Sequence, residues 1–254
     1  MISGWDRIYQ EILRDFGYDH TADIAAARAL GRTIQSHTPL QRLRDVIGGR
    51  SVFVIGAGPS LHRAITPLRR FDEIPRIVAD GALAYLMENG IAADVVVTDL
   101  DGDLDSLKRA RGEKTILVVH AHGDNIEKLA FVRHFADCVG TAQAGEKGEI
   151  HNFGGFTDGD RAVILAESFG AKRIILLGMD MGKRIGRYSF TARRDRAVKL
   201  KKLQKAGDIL EWLAPRSKAL IYTTSGSLRG IRRIRYGDIQ GVLSDRPVGH
   251  PLDM

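Results

Sequence analysis

Three aspartates at the end of an apolar run are the residues of this sequence best suited to chemistry. In the stretch DVVVTDLDGD, which begins at Asp94, three valines precede Asp99, Asp101 and Asp103. Like charges at this spacing repel one another unless a cation lies between them. Mg²⁺ binds one or two carboxylates and completes its shell with water and phosphate oxygens. The spacing therefore predicts a magnesium site at Asp99 and Asp101, while Asp103 or Asp105 is suited to cap the following helix.

Two further turns favour a phosphorylated ligand. In GAGPSL, Gly56 and Gly58 permit close approach of the backbone, and Ser60 can cap a helix whose first N–H groups attract phosphate. In ADGAL, Asp80 precedes Gly81 and lies 22 residues after Gly58, where an acid would bind the ribose of a dinucleotide. An NAD-dependent oxidoreductase is therefore one alternative, although it leaves the three aspartates unexplained.

The stretch HAHGDN, which starts at His120, combines two histidines with Asp124 and Asn125. It is close to the zinc motif of the metallo-β-lactamase superfamily, but Asn125 stands where the last histidine of that motif is expected. That superfamily also builds antiparallel sheets and has its motif early in the chain. We therefore expect no tightly bound zinc, and we expect His120 and His122 to face a substrate or to support the strand end.

Acids also occur in two later glycine-containing stretches. NFGGFTDGDRA contains Asn152, Phe153 and Asp158 before a predicted helix, and LLGMDMG has Asp180 just after a predicted strand. In open α/β sheets, ligands bind beyond the carboxyl ends of the strands. We therefore expect these residues at the same edge of the sheet as the aspartates described above.

A basic segment, residues 182–205, carries ten Lys or Arg and one acid. Its first part directly follows LLGMDMG, so we expect a loop that closes over the phosphates of a nucleotide. From Lys199 onward, a solvated helix face is an equally open interpretation. The residues expected to close over the phosphates are Lys183, Arg184 and either Arg193 or Arg194.

Short β-rich runs that alternate with helical stretches must position these residues. Such alternation is typical of parallel βαβ units with right-handed crossovers. Runs as apolar as VVV fit strands buried on both faces. We therefore predict an α/β fold with a Rossmann-like, doubly wound and mostly parallel sheet. The predicted strands are 51–55, 76–79, 94–98, 115–120, 173–178 and 219–223, and the predicted helices are 60–70, 81–89, 125–135 and 160–169.

The first part of the chain has a helical pattern of its own. Its apolar residues recur at helical spacing, at Trp5, Ile8, Ile12 and Phe16. We predict that residues 1–48 form a helical N-terminal arm that covers the sheet or another subunit. Residues 49–254 are then a catalytic α/β domain with a basic helical and C-terminal extension.

Composition favours a globular protein with an anionic partner. The net charge is +7, whereas aromatic residues make up 7%, which argues against a nucleic-acid binder that stacks bases. The single cysteine, Cys138, excludes an internal disulfide and favours the reducing cytoplasm. No apolar run is long enough for a membrane span. We expect a cytoplasmic protein without a membrane or nucleic-acid partner, and a homo-oligomer stays open.

The strand-end motifs GAGPSL, ADGAL, VVVTDLDGD, NFGGFTDGDRA and LLGMDMG together resemble the archaeal 6-hydroxymethyl-7,8-dihydropterin diphosphokinases. These enzymes are in turn similar in fold to the catalytic domain of thiamin pyrophosphokinase. The resemblance covers roughly residues 50–185. It implies that ATP donates its β,γ-diphosphate to the hydroxymethyl group of a reduced pterin, with Mg²⁺ as cofactor and AMP as the leaving group.

The resemblance also implies roles for individual residues. Asp80, Asp99 and Asp101 match the acids expected around Mg²⁺, and Asp101 or Asp124 is suited to accept the hydroxyl proton. Gly102 replaces the serine that thiamin pyrophosphokinase has after its second acid. A thiamin pyrophosphokinase-like enzyme and a sugar-nucleotide-dependent transferase stay open as alternatives. We expect ATP at Gly56, Gly58, Ser60, Asp80, Gly81, Lys183 and Arg184, and the pterin at His120, His122, Asn125, Asn152, Phe153, Asp158 and Asp180.

Overall fold

In the computed structural model of the protein, the described residues contain nine strands, which form one sheet. The structure describes residues 2–34, 40–110, 115–144, 150–182, 184–189 and 193–244. The strands are β1 Ser51–Ile55, β2 Arg76–Ala79, β3 Val95–Thr98, β4 Ile116–Ala121, β5 Cys138–Ala142, β6 Ile150–His151, β7 Arg173–Leu177, β8 Leu220–Thr223 and β9 Arg232–Arg233. Their order is β6-β5-β4-β3-β2-β1-β7-β8-β9, and every neighbouring pair is parallel. The predicted doubly wound parallel sheet is confirmed.

Helices connect most of these strands. The α-helices are α1 Trp5–Phe16, α2 His20–Thr33, α3 Leu40–Ile47, α4 Ile65–Arg70, α5 Asp80–Glu88, α6 Leu104–Ala110, α7 Asp158–Ser168, α8 Arg196–Leu213 and α9 Ile239–Leu243. The stretch predicted as a helix over 125–135 is a 3₁₀ helix, Gly123–His134. Across the part of the chain that the structure describes, no helix combines the length and apolar character that crossing a membrane requires.

Alternate side chains of each strand enter two separate apolar layers. On β1, Val52 and Val54 belong to the layer that includes residues of α1, α3, α7 and α8, whereas Phe53 and Ile55 belong to the layer that includes residues of α2, α4 and α5. All four side chains are fully buried. Burying a side chain of this size stabilises the fold by roughly 1.5–3 kcal/mol. Both faces of the sheet are therefore covered, and the strand ends are left as the place for a ligand.

The predicted N-terminal arm contributes to both layers. Trp5 of α1 is buried in the first layer, and Leu30 of α2 is buried in the second. Asp23 of α2 accepts the N–H of Gly123 at 2.9 Å and the hydroxyl of Tyr9 at 2.7 Å. The apolar stripe of the arm is thus covered by the sheet of its own chain, and the arm is bonded to the loop after β4.

The strands β5, β6 and β9 are missing from the sequence prediction. Gly140 weakens the strand pattern of β5, yet a Cβ there would lie 2.5 Å from Ile150 and 2.8 Å from Ile34, at the end of α2. Glycine at this position lets α2 pack directly on the strand. Each of β6 and β9 has two residues, too short for a recognisable alternation of apolar and polar side chains. Cys138, the first residue of β5, is buried.

Candidate active site

Three aspartates from three different elements converge beyond the carboxyl ends of the strands. Asp80 is the first residue of α5, Asp101 follows β3, and Asp158 is the first residue of α7. A carboxylate oxygen of each lies within 4.8 Å of those of the other two. Among the residues described, this is the single group of three acids, histidines or cysteines close enough to share a metal ion. These three residues are termed the acidic cluster below.

Asp80 is almost inaccessible to solvent, and one of its two oxygens lacks a hydrogen bond. Oδ2 accepts the hydroxyl of Thr98 at 2.6 Å and the N–H of Gly102 at 3.3 Å, whereas Oδ1 has no partner among the described residues. Burial, together with the charges of Asp99 and Asp101, raises the pKa of Asp80 to about 7. A buried carboxylate without a partner costs free energy. The cluster therefore fits a hard divalent cation such as Mg²⁺, which prefers oxygen ligands.

The turn after β3 has an unusual backbone that brings its residues onto Asp80. Leu100 has a φ of 65°, the one positive φ of a non-glycine residue among those described, and it is buried. Its N–H donates to Thr98 Oγ1 at 2.8 Å. This conformation costs a non-glycine residue roughly 1–2 kcal/mol, so the packing of Leu100 must hold it. A Cβ on Gly102 would lie 2.6 Å from the Asp80 carboxylate, which is why glycine is needed there.

Asp99 faces His122, which follows β4. Nε2 of His122 lies 3.5 Å from Asp99 Oδ2, and its Nδ1 accepts the N–H of Asp124 at 3.3 Å, so the ring proton is on Nε2. Burial would raise the pKa of Asp99, but the His122 hydrogen bond and the charge of Arg161 hold it below its usual range. Partial desolvation and the Asp99 carboxylate raise the pKa of Asp101 to about 6. Since the Asp101 side chain is exposed, we attribute most of this rise to Asp99.

Asp158 is positioned by the start of α7. Thr157 is the N-cap residue, and its N–H donates to Asp160 Oδ1 at 2.7 Å in a capping box. Arg161 donates to Asp158 Oδ1 at 3.3 Å, and both side chains are largely buried. Burial and the charge of Asp99 raise the pKa of Asp158 well above its usual value, although Arg161 opposes this. Asp158, predicted at the substrate, thus lies in the acidic cluster, whereas Asp99 faces His122 beside it.

The glycine-rich turn after β1 is bonded to the turn after β7. The N–H of Gly58 donates to Gly178 O at 2.7 Å, and the N–H and hydroxyl of Ser60 donate to Asp180 Oδ2 at 2.8 and 2.7 Å. A Cβ on Gly58 would overlap Asp180, so glycine lets the two turns meet. The N–H of Gly56 also donates to a carbonyl of β7. These donors are engaged within the protein, and the two glycines border the adjoining cleft through their backbone.

A cleft of about 280 Å³ opens beside the acidic cluster. It is bounded by the turns after β1, β2, β3 and β7, by the start of α7 and by one face of α8. Three of the acids lie at the strand ends, whereas Asp195 and the cations come from α8 and from the segment before it. This distribution suits a polyphosphate that binds together with a divalent cation. The charged residues that line the cleft are Asp101, Asp158, Asp180, Arg184, Asp195, Lys199 and Lys202.

One face of α8 contributes two of these cations. Val198, Lys199, Lys202 and Leu203 follow a helical spacing and all line the cleft. That spacing was the signal in the sequence that could have separated these lysines from a solvated face. Of the residues predicted to close over phosphates, Arg184 lines the cleft, and Lys183 lies outside the described residues. Arg194 is exposed and lies 3.7 Å from Asp195.

The predicted residues at the end of β4 surround Asp99 rather than the cleft. His120 is buried, with Nδ1 at 3.1 Å from Thr141 Oγ1. Burial, together with the charge of Arg161, lowers the pKa of His120 well below its usual value. The Asn125 amide donates to the carbonyls of Asp99 at 2.7 Å and His120 at 2.8 Å, and so ties β3 to β4.

The predicted residues of the loop before α7 make contacts within the protein. Asn152 donates its amide to Gln143 O at 2.9 Å and accepts the N–H of Gly154 at 3.1 Å. The ring of Phe153 stacks on His151 at 5.7 Å and meets Phe169 at 5.4 Å. Neither Asn152 nor Phe153 lines the cleft. Both residues hold the loop that leads into Asp158.

Comparison with known proteins agrees with the motifs at the strand ends. Residues 28–186 match the family model described as 6-hydroxymethylpterin diphosphokinase, MptE-like. Over 226 residues the chain is 42% identical to a 6-hydroxymethyl-7,8-dihydropterin pyrophosphokinase of Methanocaldococcus jannaschii, covering 82% of this chain and 94% of that protein. A protein of the same name from Pyrococcus furiosus is 41% identical over 224 residues, covering 85% of this chain and 96% of the relative.

A likeness to a solved structure concerns the fold alone. The MAF glycosyltransferase of Magnetospirillum magneticum superposes with a TM-score of 0.54 at 17% sequence identity. The match covers 84% of this chain and 39% of that one. At this identity it supports the architecture of the sheet and carries no conclusion about the reaction.

Proposed function

Because this chain belongs to the MptE-like family of 6-hydroxymethylpterin diphosphokinases, we propose that it transfers diphosphate from ATP to 6-hydroxymethyl-7,8-dihydropterin. The hydroxymethyl oxygen attacks the β-phosphorus of ATP. The bond from that phosphorus to the oxygen bridging the α-phosphorus breaks, and AMP leaves with this oxygen. The hydroxyl proton passes to a base. The observation that carries the proposal is the acidic cluster at the edge of a cleft that is also lined by the cations Arg184, Lys199 and Lys202.

Mg²⁺ is the cation that we propose for the acidic cluster. Asp80, Asp101 and Asp158 would hold it, since their oxygens converge and one oxygen of Asp80 has no hydrogen-bond partner in the described part of the chain. When bound, the ion would offset the negative charge of the ATP phosphates and of the cluster itself. Asp99 stays ionised beside the cluster and adds to its attraction for a cation.

The positions of cleft and cluster in the sheet suggest where each substrate binds. The cleft lies mainly over the ends of β1, β2 and β7, and we assign it to ATP. In-line attack requires the acceptor to approach from the opposite side of the phosphate. That side is the end of β3 and β4, where His122 and Asn125 surround Asp99. We therefore assign the pterin to this region beside Asp99.

The experiment is an assay for AMP with a panel of acceptors. The protein is incubated with Mg²⁺ and ATP, and with the pterin, with thiamin or with no acceptor, and AMP is measured by chromatography. We expect AMP in proportion to a new pterin diphosphate, and little AMP with thiamin. Formation of AMP with thiamin but not with the pterin would reassign the acceptor. Absence of AMP with every acceptor, from a folded protein, would refute the diphosphotransferase.

A further inference from the structure

Lys202 of α8 is held beside the acidic cluster by aromatic rings from two parts of the chain. Its ammonium lies 5.7 Å from the ring centre of Tyr18, which follows α1, and 5.8 Å from that of Phe156, which precedes α7. Phe16 braces both rings, at 5.8 Å from Tyr18 and 4.8 Å from Phe156. Aromatic faces attract a cation and restrict its position. The N-terminal arm thus fixes a lysine that lines the cleft.

Neighbouring lysines of α8 have partners of a different kind. Lys205 pairs with Glu11 at 3.0 Å, and Lys201 donates to the carbonyl of Asp15. No ion pair joins Lys202 to a carboxylate among the residues that the structure describes. Lys205 and Lys201 therefore attach α8 to the arm, while the charge of Lys202 is left for the cleft.

The electrostatic environment keeps Lys202 positively charged. Partial burial would lower the pKa of Lys202, but Tyr18 and the carboxylates of Asp99 and Asp101 raise it. A charged ammonium that is partly removed from water, and that makes no direct ion pair within the described part of the chain, is well placed to bind an anion. Lys199, one turn earlier, lines the same cleft and acts electrostatically on Asp101.

We propose that Lys202, together with Lys199, binds the β- and γ-phosphates of ATP across the cleft from the acidic cluster, and that Tyr18 is its positioning residue. The inference rests on the proposed function. Phosphoryl transfer depends on positioning the phosphates and on offsetting their charge, and a lysine supplies that charge as a point cation. The nucleotide would then lie between an acidic side that holds Mg²⁺ and a basic side that contacts phosphate directly.

The test compares three substitutions of lysine. Lys202→Met removes the charge and keeps the length of the side chain, Lys202→Arg keeps the charge, and Lys218→Met changes an exposed lysine before β8 as the matched control. Each variant is checked for folding by thermal melting. The measurements are kcat and KM for ATP, and the dissociation constant of α,β-methylene-ATP with Mg²⁺ by calorimetry. This analogue cannot react, because the bond that breaks in the reaction is replaced.

We expect Lys202→Met to lower kcat by about 100-fold, as loss of a charge-stabilising donor does. Its affinity for α,β-methylene-ATP should fall by about 10-fold, the equivalent of one good contact. Lys202→Arg should keep most of the kcat and most of the affinity for the analogue, and Lys218→Met should match the wild type in both. For the positioning role, Tyr18→Ala should lower kcat more than it raises KM. Tyr18→Phe, which keeps the ring and removes the phenol oxygen, should recover part of kcat.

One outcome would overturn the role of Lys202, and another would overturn the proposed function. A folded Lys202→Met protein with wild-type kcat and wild-type affinity for the analogue would overturn the inference. If the wild type forms no AMP at all, the proposed function fails by itself. The comparison of analogue binding between wild type and Lys202→Met still decides in that case whether Lys202 contacts the phosphates.

Discussion

Nε2 of His122 lies 3.5 Å from Oδ2 of Asp99, so a histidine after β4 helps to keep an aspartate after β3 ionised. The N–H of Asp124 occupies Nδ1 of the same ring, which keeps the ring proton on the side of Asp99. Burial and the charge of Asp99 together raise the pKa values of the three aspartates in the acidic cluster. This one contact therefore connects the region assigned to the pterin with the region assigned to the metal.

Replacing His122 by alanine should weaken the reaction without unfolding the protein. Asp99 would lose the donor that orients it, and partners of this kind typically contribute 10–100-fold to metal affinity or activity. We expect a loss of about that size in AMP formation, with a higher Mg²⁺ concentration needed for half-maximal rate. His134→Ala, at an exposed histidine, is the control. Equal Mg²⁺ dependence in the two variants would show that His122 does not act through Asp99.

Neutralising a member of the acidic cluster should abolish turnover and leave the fold intact. Asp101→Asn and Asp158→Asn each remove one oxygen ligand charge, and we expect losses of at least about 100-fold in kcat. Asp105→Asn, at an exposed acid on the same segment, should have wild-type activity. Thermal melting with and without Mg²⁺ provides the second measurement. If Mg²⁺ raises the Tm of Asp101→Asn as much as that of the wild type, the metal assignment is wrong.

Asp80 should contribute a loss of stability to the metal-free protein as the pH rises from about 4 to about 7. The pKa of Asp80 is about 7 in the fold, against 3.8 for a free side chain, so the folded state binds more protons in this window. Each unit of displacement corresponds to roughly 1.4 kcal/mol. Urea unfolding in EDTA at several pH values measures the slope of stability against pH, and Asp80→Asn should make this slope less negative than in the wild type. Mg²⁺ should accordingly stabilise the wild type more at pH 8 than at pH 5, and the reverse order would contradict the assignment.

Gly102→Ala should disturb the cluster through contact alone. The added Cβ would lie 2.6 Å from the Asp80 carboxylate, and overpacking of this kind typically costs about 1–3 kcal/mol. We expect a lower Tm and a weaker response to Mg²⁺. Gly237→Ala adds the same group where no atom lies within 4 Å and serves as the control. A Gly102→Ala protein that responds normally to Mg²⁺ would mean that Asp80 is not a ligand.

Asp23→Ala should loosen the loop after β4 from a distance. The substitution leaves the N–H of Gly123 without its acceptor, while the hydroxyl of Tyr9 keeps His20 Nδ1 as a partner at 3.1 Å. A lost buried acceptor costs roughly 1–3 kcal/mol. We expect faster amide hydrogen exchange at Gly123 and lower activity. Asp19→Ala, at the exposed cap of the same helix, is the comparison. Unchanged exchange at Gly123 would show that the arm does not restrain this loop.

Much of the sheet was predictable because its central strands are apolar on both faces. β1, β2, β3, β4, β7 and β8 were found from short runs rich in Val and Ile, and the rule that ligands bind beyond strand ends located the site. β5 was missed because Gly140 weakens its strand pattern. This glycine is needed because α2, which is distant in the sequence, packs directly on the strand. A contact of this kind leaves no local pattern.

The spacing of residues in the sequence does not show which way each side chain faces, so individual side chains could not all be assigned to the site. Asp99 and Asp101 are two residues apart, yet the positive φ of Leu100 between them changes which way each one faces. Asp158 joins the cluster because α7 starts there with a capping box. In the sequence this segment is recognisable only as an acid-rich turn. The position of Lys202 was not predictable from the sequence, because Tyr18 of the N-terminal arm contacts α8 only in the folded chain.

Cys138 is the single thiol of the chain, and burial raises its pKa to about 12. The thiolate is the form that reacts with maleimides, so this cysteine should stay unmodified in the native protein. A cysteine introduced at exposed Arg187, outside the cleft, would then take a fluorophore selectively in an otherwise natural sequence. Because the native thiol does not react, a fluorophore at position 187 would report on the segment before α8 while nucleotide binds and leaves.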